Sequence, residues 1–220
     1  MPYNPIDHYN FKKYIVKILR QINHDFKLKI KISKLAVNEI NYMIHYFLEQ
    51  VMNYTNRLIL VRKGRTISKT TIETSSRMFL PFELYQIVTN KGLTHLEKYQ
   101  SKLKKTKLLV RVPSQTRTKK PRISKSTIAE LLIPVSRIRN IIKLETKNIR
   151  IKTSAPIYLA GVVQSMIETI LHSCIKFLTL NNKNIISSKI LVKSINNDPS
   201  LRQVFSNTIM SSYRPATSNS

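Results

Sequence analysis

Two stretches of this chain, 34–61 and 155–180, each hold an apolar stripe at helical spacing, and they constrain everything around them. The first stripe runs Val37, Ile40, Met43, Ile44, Phe47, Leu48, Val51, Tyr54 and Leu58. The second runs Leu159, Val162, Val163, Met166, Ile167, Ile170, Leu171, Cys174 and Phe177. At a rise of roughly 1.5 Å per residue each helix would be about 40 Å long. A stripe of that length cannot be covered by one short helix, so each long helix needs a partner of similar length.

The flanks of the two stretches follow one plan. Before the first, Phe11, Ile15, Ile18, Leu19 and Ile22 fall at helical spacing, with Lys12, Lys13, Lys17 and Arg20 on the other faces. Leu28–Ile32 then alternates apolar and basic, as a short strand would. Ser33 is placed to cap the long helix. After it, Lys63-Gly64-Arg65-Thr66-Ile67 breaks the pattern, and Ser68 opens a short helix carrying Ile72, Ser76 and Phe79. Pro81 ends that helix and suits the first turn of another, with Leu84, Ile87, Val88, Leu93 or Leu96, and Tyr99 as its apolar side. The second flank repeats the order. A short helix is expected over Ile128–Ile142, with Pro134 near its start, and Ile149–Lys152 alternates. Ser154 precedes the long helix and Pro156 lies in its first turn. Asn181–Asn184 breaks it, and Ile186-Ser187-Ser188-Lys189 opens a short helix to about Asn197. Twice over, the order is short helix, strand-like loop, long helix, strand-like loop, short helix.

Charge points to the partner. The 38 Lys and Arg against 11 Asp and Glu give a formal net charge of +27. Residues 1–101, 102–122 and 123–220 each contribute +9. The middle segment, Lys102–Arg122, has nine bases, no acid, two prolines and no apolar period, so it reads as an extended basic tether. Excess spread this evenly favours a polyanion over much of the surface, and nucleic acid leads because neutralised phosphates release counterions. An anionic membrane fits less well, since the charge is not gathered on one amphipathic helix. No signal peptide or transmembrane helix is expected. The single cysteine, Cys174, excludes an internal disulfide, and three glycines leave no phosphate-cradling loop. His8, His24, His45, His95 and His172 are scattered, without zinc-ligand spacing. No Ser/His/Asp set sits in a motif, and Cys174 on its stripe reads as a buried inert thiol. Neither an enzyme nor a cofactor is expected.

Particular strings carry a resemblance. Lys17-Ile18-Leu19-Arg20-Gln21, Asn56-Arg57-Leu58, Thr66-Ile67, Leu80-Pro81-Phe82-Glu83-Leu84 and Lys98-Tyr99 resemble histone 2B. Pro134-Val135-Ser136-Arg137, Ala155-Pro156-Ile157-Tyr158-Leu159-Ala160 and Ile195-Asn196-Asn197-Asp198 resemble histone 2A. A fused pair in this order resembles the histone doublets of large DNA viruses. The resemblance implies an all-α fold of two histone folds clasped as an intramolecular heterodimer. It divides the chain into a 2B-like fold with a C-terminal helix (1–101), a basic tether (102–122), a 2A-like fold (123–205) and a short tail (206–220).

The implied function is DNA packaging. Each strand-like loop would pair with the opposite loop of the other fold, and loop ends and first helices would follow a bent duplex without reading bases. The expected contacts are Lys12, Lys13, Lys31, Ser33, Lys34, Lys63, Arg65, Thr66, Lys125, Arg137, Arg139, Arg150, Lys152, Lys183 and Lys189. Among them Arg137 matches the minor-groove arginine of the first 2A helix, and Arg150 the arginine of its first loop. Implied partners are duplex DNA, histone 3/4-like histones and a second copy of the chain, with no membrane and no small-molecule substrate. The implied setting is the virion and the host nucleus or viral factory.

The chain also departs from the pattern. Ile185 falls where histone 2A has its second-loop arginine, leaving Lys183 for a phosphate contact. Gln164, Thr169, His172, Pro199 and Ser200 stand at acidic-patch positions and Lys91 replaces another acid, leaving Glu83 and Asp198. The short ends predict weaker attachment to a 3/4-like tetramer. Two rivals stay open. A histone-fold transcription-factor subunit would need a motif reaching base edges, and none is evident. A basic RNA-binding protein would offer exposed aromatics, whereas here many lie on or beside helix stripes.

Overall fold

The computed structural model describes residues 9–109, 123–146 and 149–212. In order the elements are α1 (Lys12–Asp25), β1 (Lys31–Ile32), α2 (Lys34–Val61), β2 (Thr66–Ile67), α3 (Lys69–Phe79) and α4 (Phe82–Leu109). They continue with α5 (Lys125–Ile128), α6 (Val135–Glu145), β3 (Arg150–Ile151), α7 (Ser154–Leu180), β4 (Ile185–Ile186), α8 (Ser188–Asn197) and α9 (Pro199–Ser212). The order around α2 is repeated around α7, as the two flanks predict.

Local chemistry explains the helix ends. Ser33 Oγ accepts from the Ala36 N–H at 3.2 Å and caps α2. Ser68 and Thr71 form a reciprocal capping box on α3. Both long helices stop at a residue in the left-handed region, Lys63 after α2 and Asn182 after α7, with φ of 48° and 49°. The break after α2 falls within the expected Lys63–Ile67 stretch, with the turn made at Lys63.

The strands show how the repeats meet. β1 pairs in parallel with β4, and β2 in parallel with β3. β1 precedes α2 and β2 follows it, while β3 precedes α7 and β4 follows it. Crosswise pairing therefore requires α2 and α7 to run in opposite directions, each spanning the distance between the two pairs. The apolar stripes become one core containing Ile40, Ile44, Phe47 and Leu48 of α2 and Val163, Met166 and Ile170 of α7.

α7 is more than half of a crossed pair. Every residue from Ala155 to Ile167 is buried, so the expected stripe extends around the helix there. The reason is α4, which lies along α7 while α1, α2, α3, α6 and α8 cover its other sides. Length and apolarity alone would let Ser154–Leu180 cross a membrane, but 83% of its most apolar window is already buried in protein. The α4–α7 contact is close because two glycines face each other. A β-carbon at Gly161 would lie 2.9 Å from the Gly92 Cα.

Several expectations need correction. Residues 102–109 continue α4 as helix and are not part of an extended tether. Lysine and leucine are good helix formers, and Lys102 Nζ meets the Glu130 carboxylate at 2.7 Å. The rest of the expected tether, 110–122, lies outside the described residues. The helix expected over 128–142 is two elements, with Pro134 as the N-cap of α6. Residues 206–212 belong to α9 and not to a tail. Asp198 Oδ1 accepts from the Ser200 and Leu201 N–H groups at 3.1 Å, and Leu201, Val204, Phe205 and Thr208 are buried. Ile87 is exposed rather than on the apolar side of α4. Gln164 is buried: its Oε1 accepts from the Leu132 N–H at 2.8 Å and its Nε2 donates to Glu168.

Candidate nucleic-acid interface

The expected basic residues fall into three groups, and the fold builds each from both repeats. At one end of α2, the Lys31 N–H donates to the Asn184 carbonyl at 2.8 Å and the Ser33 N–H to the Ile186 carbonyl at 2.9 Å. This pairing brings Lys31, Ser33 and Lys34 beside Lys183 and Lys189. The hydroxyl oxygen of Ser33 is occupied as a helix cap. At the other end, the Arg150 N–H donates to the Arg65 carbonyl at 3.2 Å and the Lys152 N–H to the Ile67 carbonyl at 2.9 Å. Lys63, Arg65, Thr66, Arg150 and Lys152 gather there, with Thr66 in register with Arg150.

The third group lies where the first helices of the two repeats begin. Arg137 on α6 donates to the Asn10 carbonyl just before α1, and its guanidinium sits 5.2 Å above the Tyr14 ring. Lys12 and Lys13 open α1, and Arg139 is exposed on α6. Ser126 Oγ accepts from the Val135 N–H at 2.9 Å, which ties the short α5, with Lys125, to the start of α6. Arg137 thus carries two contacts that hold the repeats together, a role the sequence does not disclose.

The segment under Arg137 is itself clamped from α2. The Phe11 N–H donates to Asn41 Oδ1 at 2.7 Å, and His45 Nε2 meets the Tyr9 carbonyl at 2.6 Å. Asn41 and His45 interrupt the polar shoulder of a helix stripe, and only the folded chain shows what they hold. Two basic grooves adjoin the β1–β4 pair. One, of about 790 Å³, is lined by Lys12, Lys13, Lys17, Arg20, Lys31 and Lys34, with no acid among the described residues of its walls. The other, of about 510 Å³, is lined by Lys183, Lys189 and Lys193, again without an acid among the described residues. Lys17, Arg20 and Lys193 are therefore additions to the expected set, and their only sequence signal is a basic position on an amphipathic helix.

The histone-type layout of crossed long helices and crosswise loops agrees with one comparison. Residues 3–78 match the family model of the core histone domain, which is shared by histones 2A, 2B, 3 and 4. This region is a histone fold. The match covers α1 and α2 with both of their loops and nearly all of α3, so Lys12, Lys13, Lys31, Ser33, Lys34, Lys63, Arg65 and Thr66 lie inside the histone-fold region. The fold of the described chain is all-α and histone-type, and the histone family is structural rather than enzymatic.

Other chemistry finds little support in the geometry. Among the described residues, no group of three His, Cys, Asp or Glu side chains is placed to hold a metal ion. Cys174 is buried, and burial pushes its thiol up to about 12. Glu83 and Asp198 do share a pocket of about 360 Å³ with Lys176. Both acids are engaged there: Asp198 caps α9, and Glu83 Oε2 accepts from Ser200 Oγ at 3.2 Å.

Proposed function

We propose that the chain is a histone doublet that packages duplex DNA, its 2B-like repeat (α1–α4) joined to a 2A-like repeat (α5–α9). The observation that carries this reading is the crosswise parallel pairing of β1 with β4 and β2 with β3. Each loop pair draws one strand from each repeat, so the basic clusters at the two ends exist only when the repeats are clasped. α2 runs 28 residues between them, which separates the ends by about 40 Å. That spacing, with Arg137, Lys12 and Lys13 at the meeting of the first helices, suits a bent duplex held by its phosphates at three stations. Backbone contacts of this kind bind without reading sequence.

In this reading the chain joins histone 3/4-like partners and a second copy of itself in a nucleosome-like particle. Support comes from exposed apolar side chains on the histone-fold region, where Leu60 and Val61 of α2 are more than three-quarters exposed and Met78 of α3 is about half exposed. The setting would be viral chromatin, in the virion or the infected cell.

Competition binding is the direct test. The full chain should prefer duplex DNA over single-stranded DNA and over RNA, show little sequence preference, and lose affinity steeply with salt. Preference for single strands would favour an RNA binder, and tight selection of one duplex sequence would favour a transcription-factor subunit. Nuclease protection after mixing with a histone 3/4-like tetramer then reports whether a particle forms.

A further inference from the structure

The two loop pairs are built alike but armed differently. Their backbones correspond bond for bond: the Arg150 N–H donates to the Arg65 carbonyl as the Lys31 N–H donates to the Asn184 carbonyl. Ile67–Ile151 on the inner side corresponds to Ile32–Ile186. This correspondence matches the two loops of the chain residue by residue. The residue equivalent to Arg65 is Asn184, while Ile185 is the counterpart of Thr66 and stands half-exposed opposite Lys31. Arg150 and Arg65, which pair at the β2–β3 end, are thus replaced at the β1–β4 end by Lys31 and Asn184.

The difference extends to the flanks. Around β2 and β3 the sequence of the loops and adjoining helix turns carries Arg62, Lys63, Arg65, Lys69, Lys147, Arg150 and Lys152. Around β1 and β4 they carry Lys27, Lys29, Lys31, Lys34, Lys183 and Lys189, with no arginine. Arg20, which lines the adjacent groove with Lys31, stands on α1 rather than in either loop.

Lysine and arginine hold a duplex by different chemistry. An ammonium is a compact, strongly hydrated charge that suits a phosphate and gives up little water on binding. A guanidinium is planar and weakly hydrated, and enters a narrow minor groove where the potential is most negative. We infer that the clasp is polar: the loops of its β2–β3 end insert arginine into the minor groove, while the loops of its β1–β4 end make only lysine–phosphate contacts and release DNA first. The inference rests on the duplex-binding reading above. It further implies that a duplex with an A·T-rich tract near one end is bound in a preferred orientation, with the tract at the β2–β3 end.

The buried Cys174 allows a site-specific test in the full chain, because a thiol-directed DNA-cleaving chelate would react only with an introduced cysteine. Leu180 and Val61 end the two long helices and are both highly exposed, so Leu180→Cys and Val61→Cys place the cutter beside β4 and β2 respectively. As salt is raised, cutting from position 180 should fade at a lower concentration than cutting from position 61. Adding Lys31→Arg and Asn184→Arg should bring the two profiles together, and Arg65→Asn with Arg150→Lys should weaken retention at position 61. Profiles that fade together in the parent chain, or that the arginine pair leaves unmoved, overturn the polar clasp while leaving duplex binding intact. Absence of cutting from both positions at the lowest salt overturns the duplex-binding reading itself, and the inference with it.

Discussion

Gly161 on α7 faces Gly92 on α4 so closely that a β-carbon at Gly161 would sit 2.9 Å from the Gly92 Cα. A β-carbon at Gly92 would in turn lie 2.8 Å from Val162 Cγ2 and 3.2 Å from the Tyr158 ring. The pair sets the spacing at which α4 closes over the central helix. Because the obstacle to Gly161→Ala is backbone, relief would require the helices to separate. That substitution should destabilise the fold by about 1–3 kcal/mol, as overpacking of a tight core does. Urea unfolding of the full chain measures it, and an unchanged midpoint would show that the helices separate freely.

The two repeats should stay together when their covalent link is cut. β1–β4, β2–β3 and the α4–α7 contact all join one repeat to the other. Proteolysis within 110–122 should leave a folded complex that elutes as one species and still binds duplex. Loss of the link removes a high effective concentration, so the nicked protein should separate more readily on dilution. Cut halves that unfold at micromolar concentration would contradict this.

Glu130 should make the α4–α5 contact sensitive to acid. Lys102 and Lys98 hydrogen-bond to its carboxylate and hold it down to about 2. A folded pKa below the ordinary carboxylate value means the stabilisation is present above about 4.5 and is lost as pH falls towards 2. Thermal melts of the wild type and Glu130→Gln should therefore differ at pH 6 and converge near pH 2. The site is exposed, so the difference should also shrink with salt.

Cys174 should be chemically silent in the native protein. Its thiol is buried and pushed up to about 12, leaving almost no thiolate at neutral pH. Labelling by a small thiol reagent should proceed only at the rate of unfolding, and rapid stoichiometric labelling of native protein would refute this.

A peptide that anchors on the nucleosomal acidic patch through arginine should bind this protein weakly. Gln164 is buried, Lys91 is paired with Glu168 at 2.5 Å, and Glu83 and Asp198 already accept hydrogen bonds. Isothermal titration should give no measurable heat at micromolar peptide, whereas tight, salt-sensitive binding would show that the two remaining acids suffice.

The sequence by itself determined the elements and their repetition. Period-3.6 stripes at 34–61 and 155–180, alternation at Ile30–Ile32 and Ile149–Ile151, and capping by Ser33 and Ser68 are local properties, so they are legible without a fold. The basic loop positions were legible for the same reason. The crosswise meeting of the loops was implied by the resemblance, but tertiary structure alone decided their residue register, because register between distant strands depends on how two long helices cross. It replaced the expected stripe on α7 by burial around the helix, since α4 covers a face whose partner lies about seventy residues away. It gave Arg137 its work of joining the repeats, and Asn41 and His45 theirs of holding the segment that Arg137 meets. It also made Asn184 the equivalent of Arg65, and Ile185 that of Thr66, between the two loops of the chain. Hydrogen bonds between the strand pairs fix that equivalence, and no spacing within either loop could.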